Sequence, residues 1–247
     1  MDFGFYNMDC LEGMKEFPDG YFDLAIVDPP YGGGSKADAQ ESFKGAIQGR
    51  FGGNFEKYVQ AENIKADRTG GKWASKYEKD IASWDVAPTQ KYFDELFRIS
   101  KNQIIWGGNY FSLPPTRCFV IWKKLTISEN FTMAMAEYAW TSFNDNAKIF
   151  EYAPQDKARF HPTQKPVALY EWLLNRYAKP TDIILDTHVG SGSSLVACEK
   201  TNHKYVGFEI NKKYYDLAYK RLQEEAKQVN VFQYMENMKQ ISFMEGE

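Results

Sequence analysis

The chain has 247 residues, 43% of them hydrophobic and 16% aromatic, and a formal net charge of −3, which suits one α/β domain with room for an insertion and speaks against a nucleic-acid binder unless its basic residues are segregated. No apolar run approaches the roughly 18–20 residues of a membrane span, and the N-terminus lacks the basic-then-apolar pattern of a signal peptide. The three cysteines (Cys10, Cys118, Cys198) are scattered and read as reduced thiols of a cytoplasmic protein; His161, His188 and His203 show no metal-ligand spacing with them, so no metal is expected.

In chain order, Gly4–Met8 reads as a short strand, Asp9-Cys10 follows, and a helix is predicted over Leu11–Phe17, closed by Pro18-Asp19-Gly20. Asp9 reads either as a helix cap or as a polar reader of a ligand. The next apolar run, Leu24–Val27, is short and partly β-branched, which predicts a strand buried on both faces of a parallel sheet. It stops at Asp28, because Pro29 and Pro30 have no N–H for a ladder and a fixed φ. A carboxylate, a stiff dipeptide and the Tyr31 ring therefore meet at a strand's C-terminal end, where open α/β sheets bind ligands. Those groups suit work on a planar amine. Asp28 and the rigidly aimed Pro29 carbonyl can each accept an N–H, and Tyr31 offers a stacking face worth roughly 1–3 kcal/mol per base. An ordinary Pro-Pro turn after a strand is the plain alternative.

Residues 33–84 break the pattern: they are glycine-rich, weakly periodic, and slightly richer in basic than acidic residues through Asp80. A loop this long is functional or disordered. It leaves directly from Tyr31, so it is expected as an insertion that contacts nucleic acid or closes over the site, with a solvated linker as the alternative. Thr89–Ser100 predicts a helix with Tyr92, Phe93, Leu96 and Phe97 on one face. Strands follow at Gln103–Trp106, Phe119–Trp122 and Glu137–Thr141, with a further one at Lys148–Tyr152. Gly107-Gly108-Asn109 ends the first of these, and Lys123–Phe131 reads as a polar connection. The segment His161-Pro162-Thr163-Gln164-Lys165-Pro166 leads into a helix over Val167–Ala178, with Pro166 in its first turn.

Asp182–Asp186 is a predicted strand, Thr187-His188-Val189-Gly190-Ser191-Gly192-Ser193 a glycine loop, and Ser194–Lys200 the start of a helix. Glycines let a ligand approach the backbone, and a helix N-terminus offers free N–H groups. His203–Phe208 is the next strand, ending in Glu209, where an acid can hold ribose hydroxyls. An amphipathic helix over Lys212–Gln228 and a weakly patterned tail, Asn230–Glu247, complete the chain. The loop is no phosphate-cradling ATP loop, since Ser193-Ser194 stands where Lys-Ser/Thr is needed, and Leu195 replaces the third glycine of a dinucleotide fingerprint.

Asp28-Pro29-Pro30-Tyr31 resembles the catalytic motif of amino-group DNA methyltransferases, which methylate adenine N6 or cytosine N4 with S-adenosylmethionine. Asp186-Thr187-His188-Val189-Gly190-Ser191-Gly192-Ser193 resembles that family's cofactor loop, Asp-Pro-Phe-x-Gly-Ser-Gly-Thr, with Thr187 and His188 departing from Pro and Phe. His161–Pro166 looks like the segment lying along the methionine moiety, Asp9-Cys10 like the adenine-side contact, and Glu209 like the ribose acid. The catalytic motif precedes the cofactor motif, as in the β-type order. The resemblance spans about four-fifths of the chain, all but Gly33–Asp80.

It implies a Rossmann-like α/β fold, a mostly parallel seven-stranded sheet with circularly permuted motif order. It further implies S-adenosylmethionine as cofactor, held by Asp9, Cys10, Asp28, His161, Thr163, Lys165, Asp186, His188, Gly190, Ser191, Gly192 and Glu209. Catalysis falls to Asp28, Pro29, Pro30 and Tyr31, acting on a flipped base of double-stranded DNA. Asp at position 28 favours adenine N6, by resemblance. Cytosine N4, RNA or protein-amide methylation, a non-catalytic binding module and a nicotinamide oxidoreductase stay as rivals. Members of this group often form homodimers, and some are paired with a restriction endonuclease; neither is legible here.

Overall fold

The computed structural model describes residues 1–32, 86–129, 134–154, 156 and 158–225. Its strands are β1 (Gly4–Tyr6), β2 (Phe22–Val27), β3 (Ser100–Trp106), β4 (Phe119–Lys124), β5 (Ala136–Thr141), β6 (Lys148–Tyr152), β7 (Ile183–Asp186) and β8 (Lys204–Phe208). They form one sheet in the order β1-β8-β7-β2-β3-β5-β4-β6. Pairing is parallel from β1 across to β3 and between β4 and β6; β5 runs antiparallel to both β3 and β4. The sheet thus has eight strands, not the seven implied by the family. The extra one is β6, whose Lys148–Tyr152 pairs along the outer edge of β4.

Helices cover both faces. On one side α1 (Cys10–Met14) and α2 (Gln90–Ile99) pack on the sheet, with Met14, Tyr92, Phe93 and Leu96 buried against Ala25, Val27, Ile105 and Leu185. On the other, α3 (Val167–Tyr177) and α4 (Ser193–Lys200) pack Leu169, Leu173, Leu174 and Ala197 against Leu24, Ile26, Ile104, Trp106 and Ile184. Successive β2 side chains point to opposite faces and both faces are buried, which is why the run Leu24–Val27 is apolar without alternation. A fifth helix, α5, runs over 212–225 and buries Ala218 and Leu222 beside α4's Leu195 and Val196.

Helix α1 is shorter than its sequence pattern suggests. The Asp9 carboxylate accepts the Leu11 and Glu12 N–H groups at 2.7 and 3.4 Å and so starts the helix at Cys10; it ends at Met14. Lys123, expected in the connection, lies inside β4 and pairs with Ala136. The expected insertion at 33–84 and the expected tail at Asn230–Glu247 lie outside the described residues.

Candidate active site

Five adjacent parallel strands, β1, β8, β7, β2 and β3, end at the same edge of the sheet. Asp9 and Cys10 follow β1, Glu209 follows β8, the glycine loop follows β7, Asp28–Tyr31 follows β2, and Gly107–Tyr110 follows β3. Motifs more than 150 residues apart in sequence become neighbours because β2 pairs with β7, Leu24 beside Ile184 and Ala25 beside Leu185.

On the β2 side, Asp28 is held at both oxygens. The Tyr31 hydroxyl donates to Oδ1 at 2.8 Å, and the Lys165 ammonium donates to Oδ2. The Lys165 side chain is 2% exposed. Its Nζ also lies 3.2 Å from Glu137 Oε2 and 5.2 Å from the centre of the Trp106 ring. Glu137 in turn takes Lys124 at 2.5 Å. Burial opposes ionisation of Glu137, but Lys165 and Lys124 outweigh it and hold the carboxyl down at about 2. Burial likewise works against the Lys165 charge, and Asp28 and Glu137 overcome it, raising that group above its ordinary value. Burial and the Asp28 charge push the Tyr31 phenol well up, so it stays a donor.

The Tyr31 ring is stacked on Tyr110, centroids 4.8 Å apart and planes 17° apart. Its edge lies on Gly107, whose φ is +67°; a Cβ there would sit 2.1 Å from Tyr31 Cε1. One face of Tyr31 is therefore already taken by Tyr110, a ring that is itself 44% exposed.

On the β7 side, backbone groups do most of the holding. The Gly190 N–H donates to Glu209 Oε2 and the Asn211 N–H to Glu209 Oε1, each at 2.8 Å. The His188 N–H donates to Asp186 Oδ1 at 2.9 Å, and the Ser194 hydroxyl to Asp186 Oδ2. Burial raises the Asp186 carboxyl to about 7, against those two hydrogen bonds. Gly190 and Gly192 have φ of +54° and +78°, the left-handed region glycine enters freely. Arg221 of α5 donates to the Ser191 carbonyl and the Ser193 hydroxyl, both at 3.0 Å, and fixes the loop from behind; the Ser191 hydroxyl itself bonds Ser193 at 3.1 Å. The His188 ring stands edge-on to Tyr92, with Cys10 Sγ 4.0 Å from its Nε2. Burial lowers this imidazole to about 4 and raises the Cys10 thiol to about 12, so neither is charged near neutrality.

The His161–Lys165 segment spans the two sides. His161 covers the glycine loop: a Cβ on Gly190 would sit 3.2 Å from its ring. Burial, with Arg159 and Lys165 nearby, lowers His161 to about 3. The Thr163 N–H and hydroxyl meet His161 Nδ1 at 3.3 and 3.2 Å. Arg159 donates to the carbonyls of His161, Pro162 and Gln164 at 3.0–3.2 Å and sets the turn. Four residues on, Lys165 reaches Asp28. Lys165 was expected along the methionine moiety; its ammonium sits instead between Asp28 and Glu137. Asp9, expected as a ligand contact, caps α1.

Glu137, Lys124, Tyr110 and Arg221 were not singled out by sequence. A signal existed for two of them. Trp122 and Lys124 share one parity of β4, and Glu137, Ala139 and Thr141 one parity of β5, so each charge continues a buried stripe.

The residues present fit an adenosyl-sulfonium ligand. Each Glu209 oxygen accepts one N–H and keeps a second lone pair for a ribose hydroxyl. Gly190, at positive φ under His161, leaves backbone where a side chain would stand. The fold and site define an α/β methyltransferase arrangement with permuted halves.

Comparison narrows this. The DNA methylase family model matches residues 56–220, so the chain belongs to that family, the N6/N4 amino-group DNA methyltransferases, whose methyl donor is S-adenosylmethionine. The matched span leaves Asp28–Tyr31 outside it. The type II methyltransferase M.HpaI of Haemophilus parainfluenzae is 45% identical over 65 residues, 26% of this chain and 21% of that protein. M.HinfI of Haemophilus influenzae is 24% identical over 253 residues, covering 87% of this chain and 67% of that protein. The chain thus spans about a fifth of the one relative and two thirds of the other. The solved structure titled PvuII DNA methyltransferase (cytosine-N4-specific) shares the fold, with a TM-score of 0.55 at 12% identity over 93% of each chain. Among the described residues no helix is long and apolar enough to cross a membrane.

Proposed function

We propose that this chain methylates the N6 amino group of adenine in double-stranded DNA. The observation that carries the reading is the Asp28–Tyr31 turn at the same sheet edge as the glycine loop, on the neighbouring parallel strand. A base inside a duplex cannot reach that edge, so it must be flipped out, at a cost of a few kcal/mol. S-adenosylmethionine supplies an electrophilic methyl group on a sulfonium sulfur, which keeps the electron pair when the methyl leaves.

Asp28 accepts one amino N–H through lone pairs that Tyr31 and Lys165 leave free, and the Pro29 carbonyl accepts the other. Both acceptors draw the nitrogen lone pair out of the ring plane toward the methyl. As the N–C bond forms the nitrogen becomes cationic, and the Asp28 carboxylate stabilises that charge. Asp28 then takes the surplus proton and passes it to solvent. Tyr31 stacks on the base with the face that Tyr110 leaves open. Glu209, Asp186, His188 and the Gly190–Gly192 backbone hold the adenosyl end, and His161, Thr163 and Cys10 line it. Positioning supplies most of the acceleration. The rival readings as RNA methylase, binding module or oxidoreductase lack an observation of their own.

The test is transfer from labelled S-adenosylmethionine to mixed-sequence duplex DNA, followed by digestion to nucleosides. Label in N6-methyladenine is expected. Label in N4-methylcytosine would overturn the base and keep the mechanism; no label on DNA would overturn the reading.

A further inference from the structure

The cavity of about 400 Å³ beside α3 is lined by Lys165, Lys200 and Arg221 against Asp156 and Glu171, but Lys165 and Lys200 are held in ion pairs and Arg221 holds the glycine loop. Met1 and Phe3 near β1 and Leu217 and Tyr219 on α5 are apolar and exposed among the described residues, with no charge beside them that names a partner's chemistry apart from Lys204 over Phe3 and Lys212 over Tyr215. The Cys10–His188 contact is uncharged and closed. The buried charges behind Asp28 carry more.

Four ionised side chains alternate in sign from β4 to the end of β2: Lys124, Glu137, Lys165, Asp28. Their side chains are 7%, 27%, 2% and 13% exposed. Burying four charges is expensive, and a purely structural core would do as well with apolar residues of similar volume. The arrangement makes sense as electrostatics for the reaction. Asp28 alone at a strand end is free to rotate; Tyr31 on one oxygen and Lys165 on the other fix its carboxylate plane. A lysine this close has a drawback, because its charge opposes the cation that develops on the amino nitrogen. Glu137, 3.2 Å from the same ammonium, offsets it.

We propose that Lys165 and Glu137 are positioning residues for methyl transfer: Lys165 orients the Asp28 carboxylate, and Glu137 neutralises Lys165 so that Asp28 still presents net negative charge to the reacting nitrogen. This rests on the reading of Asp28 as the amino-group acceptor. The Lys165 ammonium is taken up by Asp28 and Glu137, and Glu137 by Lys165 and Lys124, so on this assignment their loss lowers the rate of the chemical step and leaves both affinities alone.

The experiment compares single-turnover methylation of duplex DNA by the full chain and its Glu137→Gln, Lys165→Met and Lys165→Arg variants. The KM for DNA and calorimetric affinity for S-adenosylhomocysteine are measured in parallel. Glu137→Gln keeps the side-chain volume, removes the charge and turns one of its two acceptor oxygens into a donor, and is expected to slow the step about 10-fold. Lys165→Met is expected to slow it about 100-fold, as a misaligned acceptor does, with Lys165→Arg recovering at least part. KM and cofactor affinity stay within about twofold in all three, a split that general loosening of the fold would not produce. Because Lys165→Met leaves two carboxylates facing each other and can fail to fold, the neutralised Glu137→Gln/Lys165→Met pair is the control for it. An unchanged rate in Glu137→Gln and in the double variant, in a chain whose wild type methylates DNA, overturns this assignment alone. So do parallel losses of rate and cofactor affinity. A wild type that methylates no DNA overturns the proposed function, and this assignment with it.

Discussion

The two halves of the site are held in different ways. Around Gly190 the holding groups are backbone N–H and carbonyl groups, meeting Glu209, Asp186 and Arg221. Around Asp28 they are side chains: a phenol, an ammonium, a second carboxylate and a stacked ring. A backbone-held loop is rigid and forgiving of side-chain changes that spare its glycines. A side-chain-held acceptor is tuned, and each of its supports is a point of failure.

The largest effect should come from removing the acceptor. Asp28→Ala is expected to lower turnover by about 10³-fold or more, while S-adenosylhomocysteine binds in a calorimeter as before. Equal activity would end the comparison, since the two halves would no longer differ in role. Gly107→Ala tests the support of Tyr31. The new methyl group would press on the ring at 2.1 Å in a backbone conformation unfavourable to alanine, and turnover should drop about 100-fold with cofactor affinity unchanged. An active variant would mean that Tyr31 tolerates displacement.

The opposite pattern is expected on the β7 side. Glu209→Gln weakens one charge-assisted bond, which predicts a 10- to 100-fold loss in S-adenosylhomocysteine affinity. Turnover at saturating cofactor should change little. If turnover falls and affinity does not, the division of labour is wrong.

The smallest effect is on stability against pH. His161 and His188 are lowered to about 3 and 4 by burial, so the folded chain refuses protons that the unfolded chain takes near 6.5. Their contribution is complete above about 6.5 and is lost as pH falls toward 4. Asp186, raised by burial to about 7, acts in the opposite sense, since its contribution is complete below its unfolded value of 3.8 and is lost as pH rises through 7. The two histidines outweigh Asp186 and the smaller upward shift that burial gives Glu209, so the melting temperature should decline gently from pH 6.5 to 4.5, and more gently in His161→Gln. A rise on acidification would contradict this accounting.

How much of this was legible follows the same division. The glycine loop announces itself because its purpose is local: Gly190 and Gly192 lie two apart, and both take positive φ. The strand ending at Asp28 was readable for the same reason, since two prolines close it. The partners of Asp28 were not, because Lys165 and Glu137 come from a loop before α3 and from β5, and no local pattern links them. The buried parity of Lys124 on β4 and Glu137 on β5 was visible, but parity alone does not say which charge meets which. The sheet's eighth strand was present in the residue pattern at Lys148–Tyr152; the family's seven-strand arrangement hid it. Tyr110 was missed because its value depends on Gly107 turning the chain back over Tyr31.

The pairing of β2 with β7 has one more consequence, and it concerns time. On the ribosome Leu24 is made 160 positions before Ile184, the residue it lies beside, and β1 waits longer still for β8. At about 5–20 residues per second, β2 spends roughly 10–30 s without a neighbour on that side. During that interval its four apolar residues and the edge that will carry Asp28 have no β7 to cover them. Contacts so distant also make folding slow once the chain is released. The arrangement that brings the cofactor loop beside the acceptor therefore leaves the enzyme's most apolar strand as the part most in need of protection while the protein is being born.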